Sequence, residues 1–337
     1  MNSTTKVLVT GAGGFIGHHL TRYLASRGYW VRGVDIKDPE YEASAAHEFW
    51  KLDLRNWASC LCATEGIDEV YALAANMGGI GFIENNKAVI VRDNTLISMH
   101  TIEAARMNGV RRLLYTSSAC IYPGYLQKNS NVLPLKEEDA YPADPEDGYG
   151  WEKLYTERVC RHYWEDFKLE TRIVRFHNIY GPLGTYDGGR EKSPAAICRK
   201  VALARDGDAI EVWGDGEQTR SYCYIDDCVE GIFRLMRSDY RQPLNLGTDR
   251  LVSINSLVDV VARIAGKTSY KQHNAKMPQG VRGRNSDNNR LRQVLGWEPT
   301  TNLEDGLAVT YQWIAAQLRA SSTVTLQDSK ARVAAAI

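Results

Sequence analysis

Tyr149 and Lys153, four residues apart in Tyr149-Gly150-Trp151-Glu152-Lys153, carry the first chemistry this sequence offers. On a helix they share one face. A phenol with an ordinary pKa of about 10 is a weak base at neutral pH. An adjacent ammonium and a nicotinamide charge stabilise its phenolate, so Tyr149 can take a proton from an alcohol as hydride leaves. Ser118, at the end of the apolar run that starts at Arg112, is placed to hold the reacting hydroxyl. Cys120 follows two residues later and has no part in such an oxidation, so it implies proton chemistry beyond redox. Its ordinary pKa of about 8.5 falls beside a cation. Lys192 is the second proton-transfer candidate, in Gly188-Gly189-Arg190-Glu191-Lys192-Ser193-Pro194. A helix starting at Ser193 or Pro194 would put it at the positive end of a helix dipole, which disfavours its charge. Taken singly, these residues also fit a solvated helix face, a small buried cysteine and a basic surface loop.

The elements that must position them begin at Lys6–Thr10, a short apolar strand running into Gly11-Ala12-Gly13-Gly14-Phe15-Ile16-Gly17. Gly11 and Gly14 permit a tight turn and close approach to a pyrophosphate, Gly17 allows helix and strand to pack, and the helix N-terminus around Phe15 and Ile16 offers free N–H groups. A second strand, Trp30 to Val34, ends in Asp35, whose carboxylate accepts from ribose hydroxyls and repels a 2′-phosphate. NAD is therefore favoured over NADP, with Lys37 nearby as the one opposing feature. Asp53, after a third strand, is placed at the adenine edge, and Ala74-Ala75, after a fourth, lets a cofactor lie over the sheet. Apolar runs at Val70 to Ala74, Arg112 to Thr116 and Thr171 to Phe176 alternate with helical stretches near 88–108 and 149–167. That alternation specifies an α/β, doubly wound parallel sheet. Ser118 and Cys120 share a face if strand geometry persists to 120. The expected division is a dinucleotide-binding domain over 1–180 with a return near 218–250, a smaller substrate lobe over 181–318, and a frayed Ala/Ser-rich tail from about 319.

Composition excludes several classes. Lys plus Arg and Asp plus Glu are 41 each, so no global charge points to nucleic acid or an anionic membrane. The seven cysteines contain no C-x-x-C, and the seven histidines show no metal-ligand spacing, so neither a disulfide framework nor a metal site is expected. No apolar run approaches the ~18 residues of a membrane span. A cytoplasmic protein is expected.

These segments together resemble the extended short-chain dehydrogenases/reductases, and within them the plant-type GDP-mannose 3,5-epimerase family. The matching stretches are Ala74 to Gly79, Ser117 to Pro123, Arg175 to Pro182, Gly188 to Ala196, Trp213 to Arg220 and Val281 to Asn289. The resemblance implies a redox triad of Ser118, Tyr149 and Lys153 and an acid/base pair in which Cys120, as thiolate, takes a proton from one face and Lys192 returns one to the other. It implies substrate contacts at Met77, Gly78, Ser118, Ala119, Cys120, Asn178, Glu191, Lys192, Lys200, Gln218, Arg220 and Arg284. NAD contacts fall on the glycine loop, Asp35, Asp53, Tyr149 and Lys153. The implied reaction takes GDP-D-mannose to GDP-L-galactose, with GDP-L-gulose as a further product. The C4 hydroxyl is oxidised by tightly bound NAD, C5 and C3 exchange protons, and the ketone is reduced again. Lys200, Arg220 and Arg284 would bind the diphosphate, and a homodimer through the helices near 88–108 and 149–167 is expected by analogy. Asn76 stands where that family carries Asp, and Tyr186-Asp187 replaces Trp-Lys. A nucleotide-sugar 4-epimerase, a 4,6-dehydratase and a non-catalytic NAD-sensing module are the rival readings.

Overall fold

The structure, a computed structural model, describes residues 4–334, with side chains of the final helix described through Ser321. Seven strands form one sheet: β1 Lys6–Thr10, β2 Trp30–Asp35, β3 Glu48–Lys51, β4 Glu69–Ala72, β5 Arg112–Ser118, β6 Glu170–Phe176 and β7 Pro243–Leu246. Their order is β7-β6-β5-β4-β1-β2-β3, every neighbouring pair parallel. Chain order reverses between β1 and β4, which opens a crevice at their carboxyl ends where ligands bind in such sheets. The Rossmann-type, doubly wound arrangement expected from the alternation is present.

Both faces of the sheet are apolar because both are covered. Val7 and Val9 of β1 point to one side, with Val31, Leu114 and Val174, against α1 Phe15–Ser26 and the later helices. Leu8 points to the other, with Val34, Val70 and Leu113, against Ile102 of α2 Lys87–Met107 and Val159 of α3 Asp147–Phe167. This is the two-residue period of a strand read on two buried faces. Each such fully buried side chain stabilises by about 1.5–3 kcal/mol.

Two strand ends differ from expectation, for local reasons. β4 stops at Ala72 because the next two amides, of Leu73 and Ala74, both donate to Thr10 Oγ1 at 3.1 Å instead of continuing the ladder. β5 stops at Ser118, whose hydroxyl accepts the Cys120 N–H at 3.2 Å and caps a 3₁₀ turn over Ala119–Ile121. Strand geometry therefore does not persist to Cys120.

Beyond β6 the chain builds α4 Ser193–Leu203, then α5 Ile225–Arg237 packed on α1, and returns to the sheet as β7. Three short strands, Val252–Ser253, Thr219–Arg220 and Gly283–Arg284, make a small sheet in which Arg220 and Arg284 are paired in parallel register. The last helix, α6 Leu303–Ala334, runs through the stretch expected to fray, and residues 335–337 of that expected tail lie outside the described residues. No described helix is long and apolar enough to cross a membrane.

Candidate active site

Two clefts meet over the sheet. The first, about 670 Å³, follows the carboxyl ends of β1, β2 and β4 and is lined by Gly11, Gly14, Phe15, Ile16 and Gly17, with Asp35, Asp53, Ala74, Tyr149 and Lys153 further along. Gly11 has φ +73, and a Cβ there would press on the Ala74 backbone at 3.0 Å. At Gly17 a Cβ would lie 2.1 Å from the Gly11 carbonyl oxygen, so only glycine lets α1 pack this close. The N-terminus of α1 has no side-chain cap and no acidic residue in its first turn, which leaves its amides to an anion. Asp35 is fixed at the rim by the Gly13 amide (3.0 Å) and the Lys37 amide (3.2 Å). The Lys37 ammonium turns to Glu40 at 3.5 Å, so it does not oppose the carboxylate's preference. Asp53 is held by Arg55, whose guanidinium keeps the carboxyl below its usual range. This donor set fits a dinucleotide: free helix amides for the pyrophosphate, an oriented carboxylate for a ribose, small residues beneath.

The second cleft, about 710 Å³, opens toward the lobe and is lined by every residue the resemblance marks for substrate: Met77, Gly78, Ser118, Ala119, Cys120, Asn178, Glu191, Lys192, Lys200, Gln218, Arg220 and Arg284. Met77, Gly78, Tyr149 and Lys192 line both clefts and mark the junction. Lys192 is the N-cap of α4, which starts at Ser193 as expected with Pro194 in its first turn. Asn178 adopts φ +47 and its amide donates to the Ser221 carbonyl at 2.9 Å, turning the chain out of β6 into the lobe. Glu191 Oε2 and Gln218 Oε1 are buried with no hydrogen-bond partner in the protein, and both residues line the cleft, so each is a candidate acceptor for a polar ligand there.

The electrostatics correct three expectations. Lys153 does not stand beside the phenol as a free cation: its Nζ donates to the Thr116 carbonyl at 3.1 Å and lies 3.8 Å from Glu152, while its distance to the Tyr149 ring centroid is 5.8 Å. Burial, with Cys120 and Glu152 adding to it, pushes the Tyr149 phenol well up, and a hydrogen bond with Ser118 opposes. Cys120 is raised too, first by burial and then by Glu146, against Arg284 and Ser118. The thiolate expected there is disfavoured in the protein alone. Lys192 is lowered as expected, with burial the leading cause, opposed by Cys120 and Cys228. Both residues are half-buried at the cleft wall, and the loss of solvent there moves each in the direction of its neutral form, thiol and amine.

The three cations expected at a diphosphate are not alike. Lys200 is paired with Glu211 at 2.9 Å. Arg220 is lowered to about 10 by burial and then by Arg284 alongside, so any anion reaching it relieves like-charge crowding. Arg284 is instead engaged at the cysteine: Nη1 is 3.6 Å from Cys120 Sγ and Nη2 is 3.0 Å from Glu146 Oε2. Glu146 was missed from sequence, although an acidic residue three positions before Tyr149 was the available signal. Arg190 was named only as part of its loop; it lies over the Phe82 ring at 3.9 Å and reaches Asn76 Oδ1 at 3.5 Å, joining two walls of the site. Asn76 itself is held by Asn94 Oδ1 on its amide at 2.6 Å. Tyr186 stacks on Tyr41 and meets Trp313 edge-on, in an aromatic cluster that does not line the substrate cleft. Among the described residues no group of His, Cys, Asp and Glu could hold a metal.

Comparison with known proteins agrees with this geometry. Residues 7–247 match the model of the NAD dependent epimerase/dehydratase family. The chain is 51% identical over 320 residues to GDP-mannose 3,5-epimerase 1 of Oryza sativa subsp. japonica, covering 94% of this chain and 84% of that protein. It is 51% identical over 315 residues to GDP-mannose 3,5-epimerase of Arabidopsis thaliana, covering 93% and 83%. Among solved structures, UDP-glucose 4-epimerase of Thermotoga maritima with UDP-glucose superposes with a TM-score of 0.83 at 25% identity, covering 93% of this chain and 100% of that one. With its glycine loop, seven-stranded parallel sheet and a tyrosine at the junction of two clefts one helical turn before Lys153, the chain belongs to the NAD-dependent epimerase/dehydratase family.

Proposed function

We propose that this protein is an NAD-dependent GDP-mannose 3,5-epimerase that converts GDP-D-mannose to GDP-L-galactose. The observation that carries the reading is the junction, where Tyr149 and Lys192 face both clefts while Cys120 faces the substrate cleft. The residues needed to oxidise an alcohol and those needed to move protons on the neighbouring carbons thus address one ligand.

Tyr149 takes the proton of the C4 hydroxyl, which Ser118 holds. Bound NAD supplies the hydride acceptor and a positive charge that favours the phenolate; Lys153 anchors the nicotinamide ribose. A ketone at C4 acidifies the hydrogens on C3 and C5, which no side chain could remove from the unoxidised sugar. The shifts favour complementary forms, the amine on Lys192 that can take a proton and the thiol on Cys120 that can give one. Inverting C5 this way leaves ammonium and thiolate. After the ring flips, the same pair working in reverse at C3 restores amine and thiol, so two inversions are proton-neutral for the protein. Tyr149 gives its proton back to the C4 oxygen as the ketone is reduced again; reduction after both inversions gives GDP-L-galactose, and after one gives GDP-L-gulose.

Glu191 and Gln218 offer acceptors to sugar hydroxyls, and Arg220 with Lys200 suits the diphosphate. Guanine is supported by the two plant relatives. Asp35, with Lys37 turned away, supports NAD over NADP. Val89 and Leu96 of α2 and Trp151 and Tyr155 of α3 are exposed on adjacent helices, which supports a homodimer through that pair. Seven unpaired cysteines support a reducing, cytoplasmic setting. The domain boundaries near 180 and 318 belong to the same reading.

Incubation with GDP-mannose in deuterated water, followed by NMR of the recovered sugar, tests it. Deuterium at C3 and C5 with L-sugar products is expected. Inversion at C4 alone would indicate a 4-epimerase, loss of water a dehydratase, and no change despite bound NAD a non-catalytic module.

A further inference from the structure

We infer that Glu146 is a positioning residue for the proton transfers, holding Cys120 as an aimed thiol through a shared contact with Arg284. The role in catalysis rests on the epimerase reading; the arrangement itself does not.

Backbone and side chain of Glu146 act on the same target. It is the N-cap of α3, and its amide donates to the Cys120 carbonyl at 2.9 Å. One turn on, Gly150 backs against the same carbonyl so closely that a Cβ would lie 2.3 Å from the oxygen. The 3₁₀ turn carrying Cys120 and the start of α3 are therefore one rigid unit. From it the Glu146 carboxylate reaches Arg284 Nη2 at 3.0 Å, and Arg284 Nη1 lies 3.6 Å from Sγ. Arg284 Nε donates to Gln127 Oε1 at 2.6 Å, and the Gln127 amide donates to the carbonyls of Tyr122 and Pro123, at 3.0 and 3.1 Å. Arg284 is 5% exposed, and the Nε bond to Gln127 holds its guanidinium beside the sulfur, with Nη2 in ion-pair contact with Glu146 rather than in a well-aligned hydrogen bond.

Burial is the leading cause of the raised Cys120 thiol, and its effect is added to or opposed by the charges around Sγ. The groups that face it are Ser118 from β5, Tyr149 and Glu146 from the start of α3, Lys192 from α4, and Arg220 and Arg284 from the paired lobe strands. Glu146 is the one carboxylate among them. Without it, the fixed guanidinium at 3.6 Å would favour thiolate. With it, the guanidinium charge is shared with a carboxylate 3.0 Å from Nη2, which adds to the burial that already favours the thiol.

The test uses the full-length protein with its bound NAD and no sugar. Iodoacetamide alkylation of Cys120 is followed by peptide-resolved mass spectrometry across pH, which separates it from the exposed Cys62. Glu146→Gln is expected to alkylate about tenfold faster at neutral pH, its onset about one pH unit lower. Glu146→Asp, which keeps the charge, is expected to stay near wild type, and Arg284→Gln to move the onset upward. A merely loosened turn would accelerate both Gln variants. An unchanged onset in Glu146→Gln, or a shift of the same sign in the two Gln variants, overturns the inference. Because no sugar is present, absence of deuterium exchange in the wild type would defeat the epimerase reading and leave this result to stand or fall alone.

Discussion

The cofactor cleft and the substrate cleft are built by opposite means. The first takes its residues from the ends of successive strands of one sheet, so that Gly11, Asp35 and Ala74 are neighbours because β1, β2 and β4 are hydrogen-bonded in register. The second is assembled from segments that meet only in the folded lobe: Cys120 after β5, Glu191 and Lys192 before α4, and Arg220 and Arg284 on paired short strands. A cleft made of strand ends can be shared by enzymes of many activities. One made of converging loops carries the individual chemistry. If that division is real, substitutions should separate the oxidation step from the proton-transfer step, except at the junction.

The junction gives the largest expected effect. Tyr149→Phe keeps the ring and the packing of a side chain that is 6% exposed, and removes only the hydroxyl. Turnover is expected to fall by about 10²–10⁴-fold, and reduced-cofactor absorbance and deuterium incorporation should disappear together, with NAD content unchanged. Exchange at C5 surviving without any cofactor reduction would break the coupling of the two clefts.

Cys120→Ser asks the same question from the substrate side. Deuterium at C3 and C5 should drop by on the order of 10²-fold, while NAD stays bound and its transient reduction on adding GDP-mannose persists. Loss of both signals would mean that the cysteine belongs to the redox half and that the division is drawn in the wrong place.

The same contrast explains what the sequence could be made to yield. Val7 and Val9 against Leu8, the glycine loop and Asp35 form a pattern within one βαβ unit, where local spacing dictates spatial neighbours. Tyr149 and Lys153 are legible for the same reason, being one helical turn apart. Spacing does not reveal what a side chain is paired with. Lys153 looked like the cation for Tyr149, yet its ammonium donates a hydrogen bond to the Thr116 carbonyl on β5. Arg284 looked like a phosphate ligand, yet Gln127 and Glu146, over a hundred residues away in sequence, fix it at Cys120. The raised Cys120 has the same origin, because burial is a property of the assembled lobe and no local motif encodes it. Resemblance to a family supplied the membership of the substrate cleft; only the packing supplied its electrostatics.

The smallest effect tests the cofactor cleft alone. Asp35→Asn removes the charge and keeps one acceptor oxygen where the carboxylate used two, Oδ2 for the Gly13 amide and Oδ1 for the Lys37 amide, so one rim amide loses its partner while the β2 strand end stays in place. Charge-assisted contacts to ribose hydroxyls become neutral ones, and NAD retention is expected to weaken roughly tenfold. Repulsion of a 2′-phosphate is relieved at the same time, but Lys37 stays engaged with Glu40, so tolerance of NADP should rise without exceeding that of NAD. The ratio of C3 to C5 exchange measured at saturating NAD should not move, because Asp35 lines only the first cleft. A changed ratio would mean that the two clefts communicate through the cofactor, and that strand ends as well as loops shape the sugar chemistry.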